Sequence, residues 1–542
     1  MAKKLKFIFV SGGVLSGVGK GITTASISLI LKSKGLTVSP FKCDPYINVD
    51  AGTMNPTEHG EVFVTDDGAE TDQDLGHYER FLDVNLSGAN ITTMGQVFQK
   101  VIEKERNLEY EGKCVEVVPH IPEEIIRRIK VAALKMNADL TIVEIGGTVG
   151  EYQNILFLEA ARILKFRHPE DVIHIHVGYL PTPKSLGEMK SKPVQQSVRQ
   201  LNSVGIQPDF LIGRSEHPID SKRREKLALF CNMNNEDIMT NHDVNSIYEV
   251  PLILESQKLG SKILKKLKMK ENLKDLKDWS RLVEGIKSEA PVLEIGVIGK
   301  YFTTGDFSLE DSYVSVIEAI KHSCWAQNVK PRIVWVDSEE IQEKGTKILK
   351  KFSGIVVPGG FGARGVEGII DSIKFARTNK IPFLGLCFGM QLATVEFARN
   401  VCKLKGANTL EIDPRGSCPI INIMESQVEK LAERNFGGSM RLGAYPCVLN
   451  PESKSSKIYN KREISERHRH RYEFNNTYRE TLRKNGLVIA GTSPDNNLVE
   501  IIELKNHPFF VGVQFHPEFK SRPLKPHPLF YEFVKMAKKV SG

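Results

Sequence analysis

The sequence predicts two α/β domains, each a doubly wound, mostly parallel sheet covered by helices on both faces. Three observations predict this. Short apolar runs alternate with helix-spaced apolar residues through residues 1–260. A highly charged stretch follows, and a second strand–helix series opens at Val292. A chain of 542 residues is also too long for a single core. The expected division is a first domain over 1–266, a linker over 267–291 and a second domain over 292–542.

In order along the chain, Phe7–Val10, Leu140–Ile145, Val172–Val177 and Asp209–Ile212 are apolar runs that end near glycine or a polar turn, as buried strands do. Ile22–Lys34 carries apolar residues at helical spacing and meets Gly35, a suitable C-terminal cap. The charged stretch "KILKKLKMKENLKDLKDWSRLVEGIKSEA" reads as a connection with a solvated helical face. Beyond it, Val292–Ile298, Arg332–Val336, Gly354–Val357, Pro382–Leu386 and Val511–Phe515 continue the second series.

Composition narrows the function classes. Hydrophobic residues at 41% and charged residues at 26% describe an ordinary globular protein. The net charge of +8 is spread along the chain, a balance that suits anionic small molecules as well as nucleic acid and that solvated lysines mostly explain. No stretch is long enough to span a bilayer, and from the sequence as a whole neither a nucleic-acid nor a membrane partner is expected. Eight cysteines without a C-x-x-C pair give no zinc site or disulfide framework, as in a reducing cytoplasm. The apolar run after the basic N-terminus is too short for a signal peptide.

The segment "SGGVLSGVGKG" (residues 11–21) sits between a strand and a helix, where a phosphate loop belongs. Gly17, Gly19 and Gly21 free backbone N–H groups to face phosphate oxygens, and Lys20 supplies charge. The loop departs from G-x-x-x-x-G-K-[ST] twice, with Val14 for the first glycine and Gly21 for the metal-binding hydroxyl. Glu144, at the end of an apolar strand in "VEIGGTVG", is a candidate carboxylate for Mg²⁺. "DDGAETDQDLGHYERF" (66–81) is dense in acids, and Lys42 follows a strand within reach of phosphates.

The second half carries a nucleophile signature. "IPFLGLCFGMQ" places Cys387 on a strand-to-helix turn between flanking glycines, with a helix N-terminus favouring the thiolate. In "GVQFHPEF", His516 and Glu518 sit two apart on an expected extended segment, as a general base and the group that orients it. The N–H groups of Gly360, in "PGGFG", and of Phe388 are candidate oxyanion donors.

Residues 292–540 resemble the class I (triad) glutamine amidotransferase family. The resemblance implies hydrolysis of glutamine through a thioester on Cys387, with Gly360, Phe388, Gly389, Met390, Gln391, Glu411 and Arg471 holding glutamine. With "DPYINVDAGTM", "HGEVFVTDDGAETDQDLGHYERF", "VEIGGTVG" and "GEMKSKPVQQSV" added, almost the whole chain resembles the CTP synthase family, whose first domain is a phosphate-loop fold like that of dethiobiotin synthetase. That resemblance implies an ATP site at Ser16, Gly17, Val18, Gly19, Lys20, Gly21, Lys42 and Asp74, and Mg²⁺ on Asp74 and Glu144. It further implies UTP or CTP contacts at Ser16, Glu151, Tyr152, Gln153, Lys190, Ser191, Lys192, Pro193, Val194, Gln195 and Lys226. His59 and Val62 fall in the segment near the family's ammonia passage, and "FGGSMRLG" (436–443) matches a lid that couples GTP activation to glutaminase activity. ATP, UTP and glutamine as substrates, CTP as feedback inhibitor and a homotetramer are implied in the same way.

One departure bears on regulation. After "GGTVG" the family continues Asp-Ile-Glu, where this chain has Glu151-Tyr152-Gln153, so weaker CTP inhibition is expected. Two other readings stay open from the sequence: a glutamine-dependent ligase of the cobyrinic or cobyric acid amidase kind, and a partition-type ATPase switch. The second leaves Cys387, His516 and Glu518 unexplained. A filament-forming structural role is compatible with catalysis.

Overall fold

The structure is a computed structural model that describes residues 5–185, 187–272, 275–300, 303–304, 307–308, 310–424, 427 and 437–541. The chain forms two compact units, Met1–Asp50 with His77–Val283, and Ala51–Gly76 with Glu284–Gly542.

The first unit is built on seven strands: β1 (Lys6–Gly13), β2 (Val38–Asp44), β3 (Ile91–Thr93), β4 (Leu140–Ile145), β5 (Val172–Leu180), β6 (Phe210–Ser215) and β7 (Ile238–His242). They lie in the order β3-β2-β4-β1-β5-β6-β7, all parallel. Near-continuous burial along β1 and β4 reflects helices on both faces, which is why these strands read as unbroken apolar runs. Register fixes the chemistry at the carboxyl ends. Glu144 is paired with Val10 of β1 on one side and with Lys42 of β2 on the other. The first helix, α1 (Lys20–Ser33), starts directly after the glycine-rich loop, and Gly35 follows it at φ 86°. α2 (Lys192–Ser203) and α3 (Ser221–Cys231) carry the lysine-rich motifs.

The charged stretch departs from a purely solvated face. Its second helix, α4 (Lys277–Lys287), buries Trp279 and Val283, one turn apart. The Trp279 indole donates to the Tyr248 carbonyl at 2.8 Å and packs 5.1 Å from the Phe81 ring. Two buried apolar residues at i and i+4 dock a helix that otherwise carries Lys277, Asp278, Arg281, Glu284 and Lys287.

The second unit has nine long strands: β8 (Val292–Gly299), β9 (Lys330–Asp337), β10 (Gly354–Val357), β11 (Phe383–Leu386), β12 (Arg441–Leu449), β13 (Glu463–His470), β14 (Leu487–Thr492), β15 (Val499–Leu504) and β16 (Phe510–Val513). Their order is β9-β8-β10-β11-β16-β15-β14-β12-β13. The half from β9 to β16 is parallel, and the half from β16 to β13 is antiparallel. Residues 51–76 join this unit through specific ties, although they precede it by more than 200 positions. The fully buried Arg467 donates to Asp66 at 2.5 Å and to the Val64 carbonyl at 3.1 Å. Glu61 accepts the Ser315 N–H at 3.0 Å, near the start of α5 (Val314–Trp325). No helix among the described residues is long and apolar enough to cross a membrane.

Candidate functional site

At the head of β11 the chain turns sharply into α6 (Phe388–Asn400) through Cys387, which holds φ 49° and ψ −101°. A non-glycine residue with such a backbone is strained, and it persists because its neighbours leave no alternative. A Cβ on Gly385 would lie 2.7 Å from the Gly389 carbonyl carbon, and one on Gly389 would lie 2.2 Å from the Val357 carbonyl oxygen. The glycines on either side of the cysteine are therefore demanded by close backbone approach. The Cys387 N–H donates to the Val513 carbonyl at 2.7 Å, tying the turn to β16. Gln514 Nε2 lies 3.6 Å from the Cys387 sulfur.

His516 and Glu518 meet as expected, but by a different local geometry. Residues Pro517–Lys520 form a 3₁₀ turn rather than an extended segment, because Pro517 presets a helical φ at its first position. Glu518 Oε1 nevertheless reaches His516 Nδ1 at 2.7 Å, and both side chains are buried. Burial opposes the imidazolium, yet the Glu518 charge and the nearby Cys387 sulfur outweigh it and raise the His516 pKa. The ring stacks on Phe519 with centroids 5.2 Å apart. Its Nε2 is buried and makes no hydrogen bond among the described residues. Cys387, His516, Gly360, Val62, Tyr313 and Arg469 share the lining of one cavity of about 80 Å³.

Of the two expected oxyanion donors, Gly360 lines this cavity, and Phe388 directly follows Cys387 in the chain. Phe388 is the first residue of α6, so its N–H has no partner within the helix. A Cβ on Gly360 would lie 3.7 Å from the Phe388 ring. Glu411 accepts the Gly362 N–H at 2.7 Å and so holds the "PGGFG" loop. Burial raises the Glu411 pKa. Lys300, which sequence reasoning missed, grips the same loop through the Gly362 and Phe361 carbonyls and sits 4.4 Å over the Phe388 ring. Burial lowers its pKa to about 8. A lysine just past an apolar strand was the available signal. The Met390 side chain is part of the core, and Gln391 donates to the Tyr472 carbonyl at 3.0 Å. Arg471 donates to Gln427 at 3.0 Å and to Ser439 at 2.9 Å.

Ser439 belongs to the expected lid, of which Phe436 lies outside the described residues. Within the lid, Arg441 donates to the buried Glu500 at 2.8 Å. Val62 lines the cavity, whereas His59 lies 3.6 Å from the Asp72 carboxylate and is absent from the lining.

In the first unit, the loop at 11–21 adopts left-handed backbone at Val14 (φ 81°), Gly17 (φ 70°) and Gly19 (φ 90°). Val14 thus takes the conformation that the missing glycine of the standard pattern would favour. Lys20 folds back over Gly12, where an added Cβ would lie 2.7 Å from its Cδ. α1 begins at Lys20 with no side-chain cap, so the Gly21 N–H in its first turn is placed to meet an anion. Val18 is buried in the core, and Ser16 is exposed.

Lys42 is buried and lies 3.2 Å from Glu144 and 3.5 Å from Asp44, while the Tyr78 hydroxyl donates to the second Glu144 oxygen. Asp74 stands in the first turn of the helix Gln73–Leu82, its N–H donating to Asp72 at 3.2 Å. The two predicted metal carboxylates fall in different compact units, Asp74 in the second and Glu144 in the first. Among the described residues no three His, Cys, Asp or Glu side chains converge as a metal cage. A buried carboxylate such as Glu144 fits Mg²⁺, which keeps several waters and takes one or two carboxylates plus phosphate oxygens.

Around α2 and α3, Lys190 and Arg223 lie 2.9 Å and 3.3 Å from Glu188. Those two and Lys226 hold the Glu188 pKa below its usual value, led by the Lys190 hydrogen bond. Arg223 also donates to the Met189 carbonyl at 2.9 Å, a cation that sequence reasoning passed over. Lys192 and Pro193 open α2, with Val194 buried and Gln195 donating to Ser191 at 3.0 Å. Glu151 and Gln153 are exposed, and Tyr152 is 95% exposed.

Comparison with known proteins covers both units. Residues 6–269 match the family described as CTP synthase N-terminus, and residues 308–536 match Glutamine amidotransferase class-I. The CTP synthase of Caldanaerobacter subterraneus subsp. tengcongensis is 52% identical over 532 residues, 98% of this chain and 98% of that protein. The CTP synthase of Carboxydothermus hydrogenoformans is 52% identical over 531 residues, again 98% of each chain. A solved glutaminase domain of the Trypanosoma brucei CTPS with bound acivicin matches at 37% identity and a TM-score of 0.42, covering 46% of this chain and 94% of that one. The chain belongs to the CTP synthase family.

Proposed function

We propose that this chain joins three reactions: glutamine hydrolysis at Cys387, phosphorylation of O4 of UTP by ATP, and displacement of that phosphate at C4 by ammonia to give CTP. Family membership makes the chain a glutamine-hydrolysing ligase that forms a C–N bond, with UTP, ATP and glutamine as its substrates. The observation that carries the finer reading is the strained Cys387 at the head of α6, sharing a cavity with the His516–Glu518 pair.

In the glutaminase step His516 takes the Cys387 proton and later returns it to the departing ammonia, while Glu518 fixes the imidazole. The N–H groups of Gly360 and Phe388 receive the developing oxyanion. Glu411 and Arg471, with the first turn of α6, are suited to the polar ends of glutamine. Val62 belongs to the wall past which ammonia leaves, and His59 to the same segment.

In the synthase step the N–H groups at the start of α1, with Lys20 and Lys42, bind ATP phosphates. Lys190, Lys192 and Lys226 bind the UTP triphosphate, whose roughly four negative charges call for paired cations in a confined site. Bound Mg²⁺, held through the hard oxygens of Glu144, would neutralise charge on the transferred phosphoryl group. GTP activation through residues 436–443, CTP feedback, a homotetramer and a cytoplasmic setting belong to the same reading.

The test is stoichiometry. The wild type with UTP, ATP and glutamine should release CTP, ADP and glutamate in equal amounts. ATP hydrolysis that needs no UTP would sink the reading in favour of another amidoligase.

A further inference from the structure

Beneath the phosphate loop, four buried side chains form a continuous hydrogen-bonded chain. Ser11 Oγ lies 2.8 Å from His174 Nε2 and 2.9 Å from His176 Nδ1, and His176 Nε2 lies 2.7 Å from Ser197 Oγ. All four residues are at most 4% exposed. Ser11 is on β1, where the loop begins; His174 and His176 share one face of β5, two residues apart; Ser197 is on α2. The approach is so close that a Cβ on Gly13 would lie 1.5 Å from Ser197 Oγ and 2.8 Å from His176 Nε2. Burial lowers the pKa of each histidine to about 3, with the Lys20 charge contributing at His176, so both rings are neutral at physiological pH. A neutral imidazole has one donor and one acceptor nitrogen. Protons can run along the chain in either direction and satisfy each of its three links, provided all of them point the same way.

We propose that His176 is a positioning residue that locks the ATP loop to the UTP helix. Its two ring nitrogens bind Ser11, which precedes Gly12 and the loop, and Ser197, two residues past Gln195. It touches neither substrate and acts through these hydroxyls. A buried network with every member satisfied specifies one arrangement of the elements it joins, whereas a broken one leaves polar groups unpaired. This inference rests on the proposed assignment of residues 16–21 to ATP and 190–195 to UTP.

The two nitrogens can be tested separately in the full-length protein, using ammonia-dependent CTP formation. His176→Asn places its amide where Nδ1 was, keeping Ser11 and releasing Ser197. It should raise KM for UTP about 5–10-fold, the size of one neutral hydrogen bond, with KM for ATP within about 2-fold. His176→Gln reaches Ser197 and releases Ser11, so the same increase should fall on ATP. Ser197→Ala, a smaller change to packing, should reproduce His176→Asn, with kcat within about 3-fold for all three. An equal rise in both KM values, a change in kcat alone, or no change in active variants would overturn the bridge. A wild type that makes no CTP from ATP, UTP and ammonia would instead overturn the nucleotide assignments on which it rests.

Discussion

The two proposed catalytic regions are prepared for reaction in opposite ways. Around Cys387 preparation is conformational: a left-handed backbone at a non-glycine residue, two obligatory glycines, and an imidazole whose Nε2 has no partner among the described residues. Around Lys42 it is electrostatic: a buried cation beside Glu144 and Asp44, with the Tyr78 hydroxyl on Glu144. The difference follows from the chemistry. Acyl transfer needs a nucleophile held in an attacking pose, and strain in the turn supplies it. Phosphoryl transfer asks the protein mainly for placed charge, and charges kept out of water must be partnered until a phosphate arrives.

The sharpest way to break this comparison is to remove the nucleophile. Cys387→Ala should lower glutamine-dependent CTP formation by on the order of 10⁴-fold or more, while ammonia-dependent formation stays within about 3-fold. Both rates can be read from CTP absorbance in one assay series. Loss of the ammonia-dependent rate as well would mean the two regions do not divide the work.

Next in size is Glu518→Gln, which keeps the hydrogen bond but removes the charge. Glutaminase kcat should fall by roughly 10³–10⁴-fold. The pH profile carries the sign. Glu518 raises the His516 pKa, so its removal lets the imidazolium lose its proton at lower pH. The alkaline limb of kcat should therefore move to lower pH. An unmoved limb would mean that Glu518 only orients the ring.

Legibility in the sequence also divides between the regions. The central parallel strands of both sheets were readable because strands buried on two faces leave unbroken apolar runs, as at Leu140–Ile145, whereas the antiparallel strands β12 to β15 went unread. Cys387 was readable because its flanking glycines keep a fixed spacing in the sequence, although only Gly385 is forced by the turn itself and Gly389 is forced by the neighbouring strand at Val357. Less visible were contacts made by long-range packing. Lys300 reaches its loop across about 60 positions, and the hold of Arg467 on Asp66 spans 401. The turn at Pro517 was misread as extended because His516 and Glu518 meet in either conformation. The solvated face of the charged segment near Trp279 was legible, but the docking of its buried Trp279 and Val283 was not, because two buried positions are hidden among the charged residues around them.

On the synthase side, Lys42→Met should lower CTP formation from glutamine and from ammonia alike, by about 10²–10³-fold. Basal glutamine hydrolysis without nucleotides should remain within about 2-fold. Because Glu144 and Asp44 would be left buried without their cation, stability should also fall, by about 3 kcal/mol in chemical denaturation. A variant that spares the ammonia-dependent rate would show that charge placed at Lys42 does not serve phosphoryl transfer.

The smallest expected effect concerns regulation at Glu151-Tyr152-Gln153. Tyr152 is almost fully exposed, and its exposed neighbours Glu151 and Gln153 precede Asn154, whose amide donates to the Gly146 and Thr148 carbonyls. The backbone of this turn is thus fixed from within, and the three side chains are free to be exchanged without disturbing β4 or the loop after it. Gln153 presents a neutral amide where the resemblance implies a carboxylate, so an acceptor-only group would be replaced by a mixed donor and acceptor. Restoring it with Gln153→Glu should tighten CTP inhibition by about 3–10-fold, the worth of one charge-assisted hydrogen bond, and leave kcat unchanged. Titrating CTP against the UTP-dependent reaction measures it. Equal inhibition of the wild type and Gln153→Glu would separate this turn from CTP recognition and leave its sequence with no regulatory meaning.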